Sequence, residues 1–246
     1  SINQGDRVKI DSFKISGAKK LSEKSLLKLF KIGEADMFLM NYFTNKDLFT
    51  EAEFKQGIDL MTNAYFDSGY LDFEIISIDS SLDDNKEKIS IEINISEGIQ
   101  YQLGKISFDG ETEVIGIKAL ENSITMKEGD VFNRNLIVKD IQTLTDMFAD
   151  KGYAFVDIKP ITSEFFNEVN INFDISLNKK VYINRITISG NTRTQDEVIR
   201  REIGISEGGL YSRSILRASL MNLRRLGYFS DVQISTSEVD NMPDKI

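Results

Sequence analysis

The chain has 246 residues, a net charge of −9, 41% hydrophobic and 28% charged residues, and neither histidine nor cysteine. This is ordinary globular material, enough for one large domain or two to three small ones. Thiol and imidazole catalysis, Cys/His zinc sites and disulfides are excluded, and the acidic balance argues against nucleic acid and against a basic lipid-binding face. No apolar run approaches the ~20 residues of a membrane helix. The opening SINQGDRVKI lacks the apolar core of a signal peptide, which suits a cytoplasmic protein or an internal piece of an exported chain.

In chain order, the first predicted element is an alternating strand ending in glycine, VKIDSFKISG (8–17). The dense apolar stretch MFLMNYFTNKDLF (37–49) follows and is expected to pack over the helices as satellite core. A predicted helix then carries Ile58 and Tyr65 seven residues apart on one face and stops at Gly69-Tyr70, where glycine tolerates positive φ. Beyond it Leu71, Phe73 and Ile75 alternate with Tyr70, Asp72 and Glu74, a strand with one apolar and one polar face. The polar turn SSLDDNKEK (80–88) leads to the return strand KISIEINI (88–95), so this pair reads as a hairpin.

The pattern then recurs. YQLGKISFDG (101–110) is a second glycine-ended strand, Ile141 and Phe148 share the face of a second helix, Gly152-Tyr153 stops it, and EVNINFDI (168–175) is its return strand. A third round begins at VYINRITISG (181–190). Here Asn191 suits a turn, Thr194 an N-cap with Glu197 at capping-box spacing, and Gly204 a C-cap. Leu216 and Leu223 mark the next helix face, Gly227-Tyr228 the stop, and a third return strand should begin near Asp244. The three boundary sequences are DSGYLDFEI (67–75), DKGYAFVDI (150–158) and RRLGYFSDVQI (224–234). Singly each is a helix stop plus a core aromatic; together they make a tandem repeat.

The predicted fold class is therefore α+β, with three tandem β-α-α-β-β modules at 1–98, 99–178 and 179–246. Each is a three-stranded mixed sheet covered on one face by two helices. The last module as written lacks its final strand, and the short connections at 97–101 and 177–182 suit hinging.

These landmarks as a set resemble the POTRA (polypeptide-transport-associated) repeat, especially the third to fifth repeats of the periplasmic arm of outer-membrane β-barrel assembly factors. The stretch 198–232 looks like the barrel-proximal repeat, and the insertion around 37–49 sits where the third repeat is extended. Gly17 and Gly110 depart from the usual Gly-Asn. The resemblance implies a non-enzymatic periplasmic scaffold without cofactor. It would receive unfolded outer-membrane proteins, dock accessory lipoproteins of helical-repeat and propeller type, meet a periplasmic chaperone and precede a C-terminal membrane β-barrel. It also implies sites: a client strand edge at Tyr70, Asp72, Phe73, Glu74, Ile75 and Ile76; helical-repeat lipoprotein docking at Arg200 and Glu207; propeller docking at Leu82. The alternative pathway is the POTRA arm of a translocation-and-assembly or two-partner secretion transporter.

Other chemistry has little support. GISEGG (204–209) has no βαβ frame or Gly-Lys-Ser/Thr for a phosphate loop, and DSSLDDNKE (79–87) lacks the spacing of an EF-hand. A carboxylate-dependent hydrolase would need two converging acids outside the repeat pattern, and none stands out.

Overall fold

The computed structural model describes residues 9–30, 50–85, 88–237, 239 and 242–246. The apolar stretch 37–49, expected as satellite core, lies outside them.

The first repeat begins with β1 (Lys9–Ser16), a short α1 (Glu23–Leu27) running into a 3-10 turn at Lys28–Phe30, then α2 (Glu51–Asp67) and the hairpin β2 (Glu74–Leu82) and β3 (Lys88–Ser96). Strand order is β1-β3-β2. The last strand inserts in the middle, parallel to β1 and antiparallel to β2. Alternation explains the choice: Ile91, Ile93 and Ile95 are all buried on one face. Met61 and Tyr65, one turn apart on α2, close over them. Tyr65 stacks on Phe73 at 4.2 Å and meets Tyr70 edge-on at 5.9 Å.

The second repeat is β4 (Gln102–Gly110), α3 (Ile117–Ser123), α4 (Arg134–Ala149), β5 (Asp157–Phe165) and β6 (Glu168–Ser176), with strand order β4-β6-β5. Leu144 and Phe148 of α4 are fully buried, as are Ile171 and Phe173 of β6. The third repeat has α5 (Asp196–Glu202) and α6 (Arg213–Arg225). Its sheet is represented among the described residues by bridges: Tyr182 pairs antiparallel with Leu210 and parallel with Lys245. Tyr182 N–H donates to Asp244 O at 2.8 Å, as Gln102 N–H donates to Asn167 O at 2.8 Å at the start of β6. Residues 244–246 thus take the first positions of the central strand. A cavity of about 520 Å³ lies alongside, lined by Ile183, Ile199, Leu216, Leu223, Phe229 and Ile234 among others.

One helix position is solved three ways. Gly57, Asp140 and Ser219 each lie four residues before a buried core side chain of their helix: Met61, Leu144 and Leu223. A Cβ on Gly57 would fall 2.2 Å from the Phe30 ring, so glycine is kept there despite its helix cost of about 1 kcal/mol. Asp140, fully buried, instead accepts the Thr125 and Met126 N–H groups at 2.8 and 3.1 Å. Ser219 Oγ accepts Gly204 N–H at 2.9 Å.

Several local expectations change. α5 begins at Asp196, and its N-cap is Gln195, which makes no side-chain capping bond, rather than Thr194. Gly204 follows the C-cap Ile203 of α5 but lacks the positive φ of Gly69, Gly152 and Gly227; its bare Cα makes room for Ile215, 2.9 Å from where a Cβ would sit. Tyr70 to Phe73 precede β2 rather than opening it, because burying Tyr70 and Phe73 beside Tyr65 keeps them out of the ladder. Leu82 closes β2 opposite Ile89 instead of lying in the turn. Residues 228–237 form no strand, whereas the first two boundary sequences lead into β2 and β5.

The chain divides into two compact units, whose boundary cuts across the second repeat. One runs to Leu103 and takes in Gly129–Asn135 and Glu164–Val169; the other holds Gly104–Glu128, Leu136–Ser163 and Asn170–Ile246.

Candidate functional site

Because the last strand of the first repeat inserts centrally, β2 is left as an edge. An edge strand presents a row of unpaired backbone groups. Ile76, Ile78 and Leu82 along it are 65%, 46% and 53% exposed. A register shift between Ile75 and Ser77 places a bulge at Ile76. From Ser77 to Leu82 the pairing with β3 is regular. Asn94 on β3 holds this face by donating to Ser77 Oγ at 3.0 Å and to Asp79 at 3.2 Å. Of the expected client-edge residues, Glu74, Ile75 and Ile76 lie on β2. Tyr70 and Phe73 are core, and Asp72 accepts the Tyr101 hydroxyl at 3.1 Å.

The corresponding edge of the second sheet, β5, carries Pro160 and the Lys159–Asp157 ion pair. Proline has no N–H and charge on an edge opposes pairing, so β5 is blunted where β2 is open.

Arg200 and Glu207 meet each other, Nη1 to Oε1 at 3.7 Å, each with nearly half its side chain exposed. Both also grip the backbone of Ile186: Arg200 donates to its carbonyl at 3.0 Å and Glu207 accepts its N–H at 2.9 Å. Glu128 does the same to Ile106 N–H at 3.2 Å in the second repeat, so part of what Glu207 does is pin its loop to the first strand. In GISEGG the Gly208 N–H donates to Ile183 O at 2.7 Å, a pairing that uses the donor a phosphate would need. Asp83 of the acidic turn accepts Lys88 N–H at 2.9 Å, and among the described residues no acidic cluster could hold a metal ion.

Two junctions built alike were not anticipated. After α2, Gly69 O accepts Tyr101 N–H at 2.8 Å, and Tyr101 O accepts Phe132 N–H at 3.0 Å. Asp67, two residues before Gly69, accepts Asn135 N–H at 3.0 Å in the first turn of α4. After α4, Gly152 O accepts Val181 N–H at 2.8 Å, and Val181 O accepts Tyr211 N–H at 2.9 Å. Asp150, two residues before Gly152, accepts Ser214 N–H at 2.8 Å in the first turn of α6. In each case a carboxylate meets the N-terminal N–H groups of a helix, where both hydrogen bonding and the helix dipole favour it. Arginine opens both helices: Arg134 lies 5.8 Å over the Phe66 ring, and Arg213 pairs with Asp146 at 3.2 Å. Arg217 also binds Asp146. Burial alone would raise the Asp146 pKa, but Arg217, Gln142 and Arg213 outweigh it and hold it below the ordinary carboxylate value.

The glycines are tied to these junctions. At φ +84° a Cβ on Gly69 would lie 2.8 Å from Val131 and 2.9 Å from Tyr101 O, whereas at Gly227 nothing stands within 4 Å. Gly69→Ala should therefore cost about 2–4 kcal/mol, at the upper end of the common range for single substitutions, while Gly227→Ala should cost about 1 kcal/mol, the strain of a left-handed alanine alone. Urea denaturation of both variants checks this, and equal costs would show that Gly69 serves only its own backbone.

The comparisons with known proteins agree with this architecture. The POTRA family model, "Surface antigen variable number repeat", matches residues 8–98, 101–177 and 181–245. The chain is 29% identical over 248 residues to the outer membrane protein assembly factor BamA of Neisseria meningitidis serogroup B, covering 100% of this chain and 31% of that protein. It is 30% identical over 254 residues to BamA of Nitratidesulfovibrio vulgaris, covering 100% of this chain and 32% of that protein. It thus spans about a third of the length of the curated relatives it matches. Among solved structures, the crystal structure of Haemophilus influenzae BamA POTRA3-5 superposes with a TM-score of 0.76 at 19% identity, over 97% of this chain and 93% of that one. Three glycine-stopped repeats, two inserted central strands and a family match over each repeat lead to one conclusion: the chain belongs to the POTRA family.

Proposed function

We propose that this chain is a non-enzymatic periplasmic scaffold of the outer-membrane β-barrel assembly machinery, its repeats corresponding to modules 1–98, 99–178 and 179–246. The relatives' shared name, outer membrane protein assembly factor, supports the pathway. The observation that carries the mechanism is the open edge of β2, in contrast with the proline-blunted edge of β5. Strand addition at such an edge takes its affinity from backbone hydrogen bonds and tolerates many side-chain sequences, which suits unfolded barrel strands as clients. Among the described residues no helix is long and apolar enough to cross a membrane. A membrane β-barrel and a periplasmic chaperone complete the proposed setting.

Titrating the isotope-labelled chain with a synthetic peptide of alternating barrel-strand sequence is expected to shift amides from Ser77 to Leu82 and to leave 157–165 unmoved. Shifts scattered over both sheets, or none, would sink strand addition at β2.

Arg200 and Glu207 are the proposed contact for a helical-repeat lipoprotein, and Leu82, apolar and 53% exposed at the end of β2, for a propeller-type one. Their pairing supports the first reading only in part, since each already has a partner on Ile186. Glu207→Lys should weaken lipoprotein capture about tenfold. Glu207→Gln, which keeps an acceptor for Ile186 N–H, separates loss of charge from loss of the loop. If both variants bind equally well in surface plasmon resonance, the assignment is wrong. The transporter-arm alternative has no separate observation in its favour.

A further inference from the structure

The hairpin joining β5 and β6 ends in two phenylalanines. Phe165 is 65% and Phe166 84% exposed, and their rings meet edge-on at 4.6 Å. Phe166 has φ +54° and is the one non-glycine residue with positive φ among the described residues. A bulky side chain is strained in that left-handed conformation, and a two-residue hairpin turn that needs it at the first position ordinarily places glycine there. The equivalent turn of the first repeat is polar, Asp83-Asp84-Asn85, so closing this hairpin does not require aromatic residues. The tip belongs to the middle repeat and is exposed with a repeat on either side of it in the chain. Its base is fixed, because Gln102 N–H donates to Asn167 O at 2.8 Å. Exposed rings, a strained backbone and a fixed base thus coincide at a place where the fold calls for none of them, the pattern of a contact site.

The charge around the tip is of one sign. Glu164 and Glu168 flank it, and no lysine or arginine occurs from Pro160 to Asn170. Among the described residues neither glutamate forms an ion pair. Asp72 adds a third carboxylate nearby. Its hydrogen bond from the Tyr101 hydroxyl, then burial, then the charges of Asp72 and Glu164 raise that phenol. The chain itself shows what a phenylalanine beside a carboxylate takes: Phe66, followed by Asp67, lies under the Arg134 guanidinium at 5.8 Å. We propose that Phe165 and Phe166, with Glu164 and Glu168, form a docking finger for an arginine-bearing amphipathic segment of a partner protein. The rings enter among its apolar side chains, as aromatic anchors do at interface cores. A guanidinium lies over an exposed ring face, and the glutamates accept charge-assisted hydrogen bonds from its N–H groups. Because the base of the finger is already fixed, little conformational freedom is lost on binding. A lipid surface is disfavoured, since anionic headgroups repel the glutamates and the tip lacks the cations that accompany interfacial aromatics. The net charge of −9 disfavours a second copy of this chain. The proposal is independent of the client edge at β2.

The test is a titration of the chain with a short amphipathic peptide of repeated Leu-Arg-Arg-Leu units, read by amide shifts from Glu164 to Glu168 and by fluorescence anisotropy. A peptide of the same charge with serine for leucine is titrated beside it. Phe166→Asn is the main variant, because asparagine accepts the left-handed conformation. Its urea midpoint should equal or exceed that of the native chain while its affinity for the leucine peptide falls about tenfold. Phe165→Ser should weaken binding in the same way, and Val138→Ser, which alters an exposed apolar residue of α4, should leave it unchanged. Shifts confined to the tip with that pattern, and weaker binding of the serine peptide, support the proposal. It is overturned by no binding, by shifts spread over the acidic surface, by equal binding of the two peptides, by equal loss in V138S or by native affinity in F166N. A lowered F166N midpoint also overturns it, since the ring would then belong to the fold. So does Phe166-dependent self-association, or Phe166-dependent capture by phosphatidylcholine vesicles in preference to the peptide.

Discussion

Glu97→Ala is expected to destabilise the first repeat by about 3 kcal/mol, the scale of a buried charged acceptor lost from several donors. Glu97 is 9% exposed and its Oε1 accepts three hydrogen bonds at 2.9 Å, from Lys19 N–H, Lys20 N–H and the Tyr65 hydroxyl. It therefore fastens the loop after β1 to the core face of α2. Removing it strands the hydroxyl of Tyr65, a fully buried residue. The pH dependence has a definite sign. Burial pushes the Glu97 carboxyl up, but the Lys20 and Lys19 N–H groups and the Tyr65 hydroxyl outweigh it and hold the pKa below the ordinary value. A depressed carboxyl stabilises above its unfolded pKa, so this contribution is present at neutral pH and is lost as pH falls below about 4 through the folded value. Tyr65 runs the other way. Burial first, then Glu97, raises its phenol, so its contribution is present below about pH 10 and is lost as pH rises beyond. Urea midpoints of the native chain, Glu97→Ala and Glu97→Gln from pH 3 to 11 measure both limbs. A Glu97→Gln variant with the native acid limb would show that the carboxylate is not what the loop depends on.

Proline placed in β2 should separate folding from client capture. In an antiparallel strand, successive N–H groups point to opposite sides. Asp79 and Ser80 are neighbours in the regular part of the β2–β3 ladder, so one of them faces β3 and the other faces outward. Proline at the inward position removes a ladder bond and should cost about 3 kcal/mol or more. At the outward position the fold is kept, and strand-peptide affinity is expected to drop at least about tenfold. Pro160 in β5 shows that an edge in this chain tolerates the residue. If the variant that remains folded binds the strand peptide as the native chain does, β2 is an exposed edge without a role in capture.

Much of this was legible from residue order. Tyr65, Phe148 and Leu223, named from helix spacing, are all buried, as are Ile91, Ile93 and Ile95, named from strand alternation. A period of seven or of two places side chains on one face before any tertiary contact exists. Tyr70 shows two local rules in conflict: strand alternation assigns it to a polar face and the helix stop makes it a core aromatic, and packing against Tyr65 decides for the second. Leu82 likewise reads as turn and lies on strand. The junction aspartates were in plain view, first letter of both DSGY and DKGY, opposed by arginine at the same place before the third glycine. Their meaning was not legible, since an aspartate near a helix C-terminus is locally unfavourable and makes sense only once another helix begins against it.

By itself, the sequence determined the repeat, the class of fold, the buried face of each long helix and the exclusion of thiol and imidazole chemistry within this chain. These follow from composition and local period. Tertiary structure alone decided which strand is left at the edge, that Arg200 and Glu207 hold each other and Ile186, and that Gly69 and Gly152 are covered. Those outcomes depend on which distant segment arrives at a surface. A strand written last but inserted in the middle, and a helix end met by a segment some sixty residues further on, leave no trace in local pattern.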